Sequence, residues 1–280
     1  MGTTKVGIVG LGLMGGSLSL ALKKLSTKYY FIGLDHNKQH CKEALELHLV
    51  DEIVTSLDTL KSCDIIFLGI PVDGIINVIS QLSPLSPHTT IIDLGSTKEK
   101  ISASIPQNIR QNVVTAHPMT GTEKFGPKAS LENLYKDKVV VLCDLEKSGK
   151  HQQEIATKIF TNIGMNIIKM DAKKHDKHTA FISHTPHALS YALANSVLLQ
   201  ENPQNITALA GGGFKDMSRI AKSSPNMWED IFRQNRDNVL EGINAFQVEL
   251  KKCQNMIENE EWKKLNEWMQ EANMLHDILD

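Results

Sequence analysis

Val6-Gly-Ile-Val-Gly10-Leu-Gly12-Leu-Met-Gly15-Gly-Ser17 is the stretch that decides the fold. A short apolar run enters a G-x-G-x-x-G turn, and an amphipathic segment follows at once. Gly10 permits a tight strand-to-helix turn, Gly12 lets the backbone approach a pyrophosphate, and Gly15 allows close packing of helix on strand. The helix that follows aims its N-terminal N–H groups and positive dipole end at the anion. Glycines in any tight turn would match this pattern, so the surroundings decide its meaning.

Those surroundings are consistent. Leu18, Ala21, Leu22 and Leu25 recur at helical spacing directly after the turn. Tyr30-Phe-Ile-Gly-Leu-Asp35 reads as a second strand ending in an acid, at the distance expected of a carboxylate that accepts both ribose hydroxyls. The charge of Asp35 would repel a 2′-phosphate, and only His36 and Asn37 follow it, with no Arg to receive one. This predicts an NAD site that disfavours NADP. The plainer alternative makes Asp35 a strand-end or helix-capping acid.

The 280-residue chain carries a formal net charge of −2, which argues against nucleic acid or an anionic membrane as its main partner. No cationic stretch leading into an apolar segment opens it, and no apolar run reaches the length of a membrane span. The longest run, Ile65-Ile-Phe-Leu-Gly-Ile-Pro-Val72, fits a buried strand. Cys41, Cys63, Cys143 and Cys253 are scattered without metal or redox spacing, as expected of reduced thiols in a cytoplasmic protein.

Strand and helix signals alternate up to about residue 170, which predicts a doubly wound parallel sheet. Ligands bind at the carboxyl ends of strands in such sheets. Asp35, Gly69-Ile70-Pro71, Gly95-Ser96 and His117 each fall at a strand's end and should line one crevice. Leu13, Met14, Ile70 and Pro71 join the glycines and Asp35 on its cofactor side. Beyond Asp171 the pattern is helical. Val239, Ile243, Phe246, Leu250, Cys253 and Ile257 recur at steps of four and three, a heptad-like seam that suits a helix packed within the chain or against a second copy. The expected division is therefore an α/β Rossmann-like domain over 1–170 and an all-helical domain over 171–280.

Several polar residues could carry chemistry. Ser96, in Asp93-Leu-Gly-Ser-Thr-Lys98, places a hydroxyl in the crevice or caps the following helix, and capping is the commoner role. His117 ends a strand at the crevice, where a neutral imidazole can accept a proton from an alcohol. That role predicts activity rising with pH through the neutral range. His184 and His187 flank Pro186, which should kink the helix. Even with His175 and His178 nearby, no sensible metal set forms, so pocket lining or a satisfied buried role is expected of them, and no metal. Arg219 could hold a carboxylate or lie on a solvated face. Trp228 fits a core or a pocket wall.

Taken in order, Gly10-Leu-Gly-Leu-Met-Gly15, Asp93-Leu-Gly-Ser-Thr-Lys98, His117-Pro-Met-Thr-Gly-Thr-Glu123, Ser183-His-Thr-Pro-His187 and Gly213-Phe-Lys-Asp-Met-Ser-Arg219, with Trp228-Glu-Asp-Ile after them, resemble the prephenate dehydrogenase family. The wider group includes arogenate and cyclohexadienyl dehydrogenases. The resemblance runs through nearly the whole chain. It implies that prephenate and NAD⁺ become 4-hydroxyphenylpyruvate, CO₂ and NADH in tyrosine biosynthesis, without a metal.

It also implies roles. His117 accepts the proton of the ring hydroxyl, and Ser96 orients that hydroxyl or the histidine. Arg219 holds a substrate carboxylate, with Asp216 positioning it. His187, Thr122 and Glu123 line the substrate pocket, Glu123 as a gate, and Trp228 walls it. The family's helical domain is dimeric, which turns the seam towards a homodimer. No chorismate mutase segment is expected before the first strand, nor a regulatory ACT domain after the helices. A β-hydroxyacid dehydrogenase shares the opening glycines but needs a Lys–Asn pair, and the lysines after Asp171 have no such Asn partner. A non-catalytic NAD-sensing module would leave His117, Ser96 and Arg219 coinciding by accident.

Overall fold

The computed structural model describes residues 2–200 and 202–279. It divides into two compact units, Met1–Arg236 and Asp237–Asp280.

In the first unit, β1 (Thr4–Val9) leads through the glycine turn into α1 (Leu13–Leu25). Then follow β2 (Tyr29–Leu34), α2 (Lys38–Glu46), the two-residue β3 (Glu52–Ile53) and the single turn α3 (Leu57–Leu60). Next come β4 (Ile65–Leu68), α4 (Val72–Leu82), β5 (Thr90–Asp93), α5 (Glu99–Ser104) and β6 (Val113–Pro118). β7 (Val139–Cys143), α6 (Lys150–Asn162) and β8 (Asn166–Met170) complete the α/β part. The described strands form one sheet in the order β3-β2-β1-β4-β5-β6-β7-β8.

Strand residues alternate between two cores. Ile65 and Phe67 face one cluster with α1 and α6, while Ile66 and Leu68 face the other with α4. This alternation buries both faces of the sheet, as a doubly wound fold requires. Two features depart from the sequence expectation. β3 was not anticipated, and β7 pairs antiparallel with β6, so β7 and β8 run against the rest. The cause lies between β6 and β7. That connection holds only the short turn Pro127–Ala129 and no crossover helix, so the chain comes back beside β6 in the opposite direction.

After β8 the first unit is helical. α7 (Ala172–Thr179) continues through a π-helical turn, Ala180–His184, into α8 (Thr185–Leu198). Pro186 lies in the first turn of α8, directly after the π-helical turn, so the regular α-helical bonding is interrupted where the proline was expected to disturb it. α9 (Pro203–Ala208), α10 (Gly212–Ser218), a 3₁₀ turn at Arg219–Lys222 and α11 (Pro225–Gln234) follow.

α12 (Arg236–Glu258) carries the chain into the second unit, where α13 (Trp262–Asn273) and α14 (His276–Leu279) complete the chain. Trp268 Nε1 donates to Glu249 Oε2 at 3.0 Å, tying α13 to α12. Along the predicted seam Val239 is buried and Ile243 and Cys253 are half-buried, while Phe246, Leu250 and Ile257 are exposed.

Candidate active site

The glycine turn separates into two kinds of position. Gly10 has φ +92°, and a Cβ there would run into Gly69 O and Ile70 Cγ2. A Cβ on Gly15 would overlap Gly10 O and come within 2.8 Å of Ile8 Cγ2. Both must be glycine for β1, α1 and the end of β4 to pack. Gly12 is different: an added Cβ would meet nothing nearer than Gly126 N at 3.9 Å. No side chain caps α1, and its first turn carries no acid. The open space over Gly12 and the uncapped N–H groups of Leu13 and Met14 suit an anionic ligand.

Asp35 stands at the end of β2, with its side chain nearly buried. Its carboxylate accepts from the N–H of Leu11 at 2.9 Å and of Asn37 at 2.8 Å, so it fastens the glycine turn to β2. Asn37, not Asp35, caps α2 through its side chain. Gly69, Ile70 and Pro71 lead from β4 into α4, whose N-terminal Val72 N–H is capped by Asp230 Oδ2 at 2.9 Å. Asp230 comes from α11, far along the chain.

The carboxyl end of β6 presents His117, and a buried chain stands behind it. His117 Nδ1 lies 2.8 Å from His175 Nε2. His175 Nδ1 lies 2.8 Å from Asp176 Oδ1. Asp176 in turn accepts from the N–H of Lys98 at 2.7 Å and of Glu99 at 2.9 Å, capping α5. Asn235 Nδ2 donates to Asp176 O at 2.6 Å and lies 3.1 Å from His184 Nδ1. His184 meets the Trp228 ring edge-on, and His187 stacks on Trp228 with ring centroids 3.5 Å apart. One continuous network therefore joins His117 to His187 and Trp228.

Proton positions follow from the partners. An ionised carboxylate only accepts, so His175 carries its proton on Nδ1 and offers a lone pair at Nε2. His117 then donates through Nδ1, and its Nε2 is left as the basic atom, with no hydrogen-bond partner among the described residues. Burial first, then His175, Lys98 and His184, hold the His117 imidazolium well below the ordinary histidine range. Burial lowers His175 against the opposing pull of Asp176, and lowers His184 to about 4. These histidines are neutral at physiological pH. If His117 is the base, the expected rise of activity falls at more acidic pH than an ordinary histidine would give.

Beneath the site lies an ion pair that the sequence did not reveal. Lys98 and Asp93 are fully buried and bonded to each other, and Lys98 Nζ also donates to Ala116 O at 2.8 Å. Burial raises the Asp93 carboxyl against the pull of Lys98. Ser96 is half-buried above this pair. Its capping alternative does not hold, because Asp176 supplies the cap of α5, and among the described residues the Ser96 hydroxyl has no hydrogen-bond partner.

The remaining candidates are more open. Arg219 is exposed on its 3₁₀ turn, yet close enough that its charge helps lower His187. Burial is the larger cause of that lowering. His187 Nδ1 lies 2.9 Å from Ser183 O, to which it donates. Asp216 is exposed, and among the described residues no hydrogen bond or ion pair joins it to Arg219. Thr122 and Glu123 lie on the exposed loop after β6, where Thr122 Oγ1 accepts only from Lys124 N at 3.2 Å. Trp228 is buried, with an Nε1 that finds no acceptor. Among the described residues no group of three or more His, Cys, Asp or Glu side chains is placed to hold a metal ion, and no helix is long and apolar enough to cross a membrane.

A doubly wound sheet with a G-x-G-x-x-G turn and a basic histidine at its carboxyl edge defines a nucleotide-binding oxidoreductase of the Rossmann class. The chain belongs to the prephenate dehydrogenase family. Residues 18–169 match the model for "Prephenate dehydrogenase, nucleotide-binding domain", and residues 171–271 the model for "Prephenate dehydrogenase, dimerization domain". Prephenate dehydrogenase of Bacillus subtilis (strain 168) is 31% identical over 278 residues, 97% of this chain and 75% of that one. The structure of prephenate dehydrogenase from Aquifex aeolicus in complex with hydroxyphenyl propionate and NAD⁺ is similar, with a TM-score of 0.92 and 33% identity over 100% of this chain and 99% of that one. Synechocystis arogenate dehydrogenase has a TM-score of 0.82 and 29% identity, covering 99% of this chain and 100% of that one.

Proposed function

We propose that this chain carries out the NAD⁺-dependent oxidative decarboxylation of prephenate to 4-hydroxyphenylpyruvate, with His117 as the general base. The observation that carries this reading is the hydrogen-bond chain that leaves His117 Nε2 basic at the edge of the sheet. Hydroxyphenyl propionate, bound by the Aquifex aeolicus relative, has the aromatic ring and short acid side chain of the proposed product.

NAD⁺, when bound, supplies the hydride acceptor. The residues that would hold it are Gly10, Gly12, Leu13, Met14 and Gly15 at the pyrophosphate, Asp35 at the ribose, and Ile70, Pro71 and Ser96 along the crevice. The gap over Gly12 and the uncapped start of α1 fit that group. His117 Nε2 takes the proton of the substrate's ring hydroxyl as a carbonyl forms there. Ser96, whose hydroxyl finds no partner among the described residues, orients that hydroxyl. Departure of the ring carboxylate as CO₂ then aromatises the ring, so no protein group need supply electrons.

Arg219 binds a substrate carboxylate, with His187, Thr122, Glu123 and Asp216 around the pocket and Trp228 as its wall. We place the functional boundary at residues 170 and 171, between the NAD-binding domain and a helical substrate and dimerisation domain. The exposed stripe along α12 supports a homodimer. We assign the enzyme to the cytoplasm, where its four cysteines, all free in the fold, stay reduced.

The similarity to Synechocystis arogenate dehydrogenase gives a second substrate some support, since arogenate carries an amino group where prephenate carries a keto group. Measuring kcat/KM for prephenate and arogenate, each with NAD⁺ and NADP⁺, tests the assignment. The expected ranking puts prephenate with NAD⁺ first. A higher value for arogenate would move the substrate assignment, and a higher value with NADP⁺ would overturn the role given to Asp35.

A further inference from the structure

We infer that His175 is a positioning residue that fixes the tautomer of His117, and that Asp176 serves the reaction and the fold with the same carboxylate. This rests on the assignment of His117 as the base. The argument is one of donor and acceptor counting. His117 Nδ1 is 2.8 Å from His175 Nε2, and His175 Nδ1 is 2.8 Å from Asp176 Oδ1. An imidazole with an acceptor facing Nδ1 keeps its proton there, and only then is Nε2 free to receive one. Without that acceptor, the proton can move to Nε2 and the base is lost although the ring stays in place. A tautomer-fixing partner is worth orders of magnitude in rate in other enzymes that use histidine as a base.

Burial makes the arrangement rigid. His175 and Asp176 are each 1% exposed. The Asp176 carboxylate is held by the N–H groups of Lys98 and Glu99 at the start of α5, so it cannot turn away from His175 without uncapping that helix. As His117 takes up the substrate's proton it becomes an imidazolium. The Nδ1 proton still points at the lone pair of His175, while burial, His175, Lys98 and His184 keep the charged form disfavoured. The proton stays on His117, and neither His175 nor Asp176 touches substrate.

The test uses the full-length chain, with histidine labelled with nitrogen-15, and compares His175→Leu with His175→Gln. Leucine removes the acceptor, whereas the glutamine carbonyl restores one without a titratable ring. The wild type is expected to hold His117 in the Nδ1–H tautomer. His175→Leu should lose that tautomer and about 10- to 1,000-fold in kcat, with KM and NAD⁺ affinity within about threefold. His175→Gln should recover the tautomer and most of the rate. A wild-type His117 protonated at Nε2 overturns the inference whether or not the leucine variant folds. So does a leucine variant with normal kcat and normal tautomer while His117→Ala is inactive. Normal turnover by His117→Ala would instead remove the base assignment itself.

Discussion

His117 Nδ1 and His175 Nε2 lie 2.8 Å apart, joining the end of a strand to a helix 58 residues further along the chain. The contact converts an ordinary histidine at a sheet edge into one with a defined basic atom. It also places the histidine among groups that disfavour its charge, and the proposed role of His117 predicts the pH behaviour of the enzyme from that.

Because burial, His175, Lys98 and His184 all depress the His117 imidazolium, kcat/KM should be level through neutrality and fall only well below pH 6.5. Stability should follow the same sign. His184 titrates at about 4 when folded, against about 6.5 when unfolded. Its contribution is therefore intact above pH 6.5. It is lost as the pH falls towards 4, because the unfolded chain takes up protons that the native state refuses. Thermal melts and initial rates across this range check both. An acid limb centred at or above 6.5 would contradict the placement of His117.

Gly12→Ala and Gly15→Ala should part company. The added methyl at Gly15 strikes the carbonyl of Gly10, so that variant should lose stability, by about 1–3 kcal/mol or more. At Gly12 there is room for the methyl in the free protein, so Tm should hardly move while NAD⁺ affinity falls at least about tenfold. Melting curves with and without NAD⁺ separate the two. A Gly12→Ala variant that binds NAD⁺ normally would move the pyrophosphate elsewhere.

Asp230→Ala should lower Tm. The variant removes the cap on Val72, a change that costs about 1–2 kcal/mol, or roughly 2–4 °C for each kcal/mol in a chain of this size. An unchanged melting curve would mean that water replaces the carboxylate without loss.

Arg219→Ala should raise KM for prephenate with a smaller effect on kcat, since a charge-assisted contact to a carboxylate exists before the transition state. Saturation curves for the two proteins settle it. An unchanged KM would leave Arg219 as the solvated residue its exposure permits.

What could be read from the sequence was local. The glycine turn, Asp35 and the apolar strands carry their meaning within a few residues. The direction of β7 was not readable, because the apolar pattern of Lys138–Cys143 marks a strand and says nothing of its sense. For the cap of α5 the sequence offers only a nearby hydroxyl, Ser96, as an alternative to its place in the crevice, whereas the cap comes from Asp176, about 80 residues later. His175 was noted only as a neighbour of His184, since no spacing rule links it to His117. The clue available was His175-Asp176 itself, a histidine beside an acid in the middle of a short helix. Lys98 stood in a quoted motif, but nothing local distinguishes a buried lysine from an exposed one.

The most direct test of the central claim is to mix wild-type protein and His117→Ala with prephenate and NAD⁺ and follow NADH absorbance, with NAD⁺ binding measured in parallel. Wild type should form NADH with equal release of CO₂. His117→Ala should bind NAD⁺ normally and turn over about 10²–10⁴-fold more slowly. No NADH from the wild type, or undiminished turnover by the variant, would contradict the account.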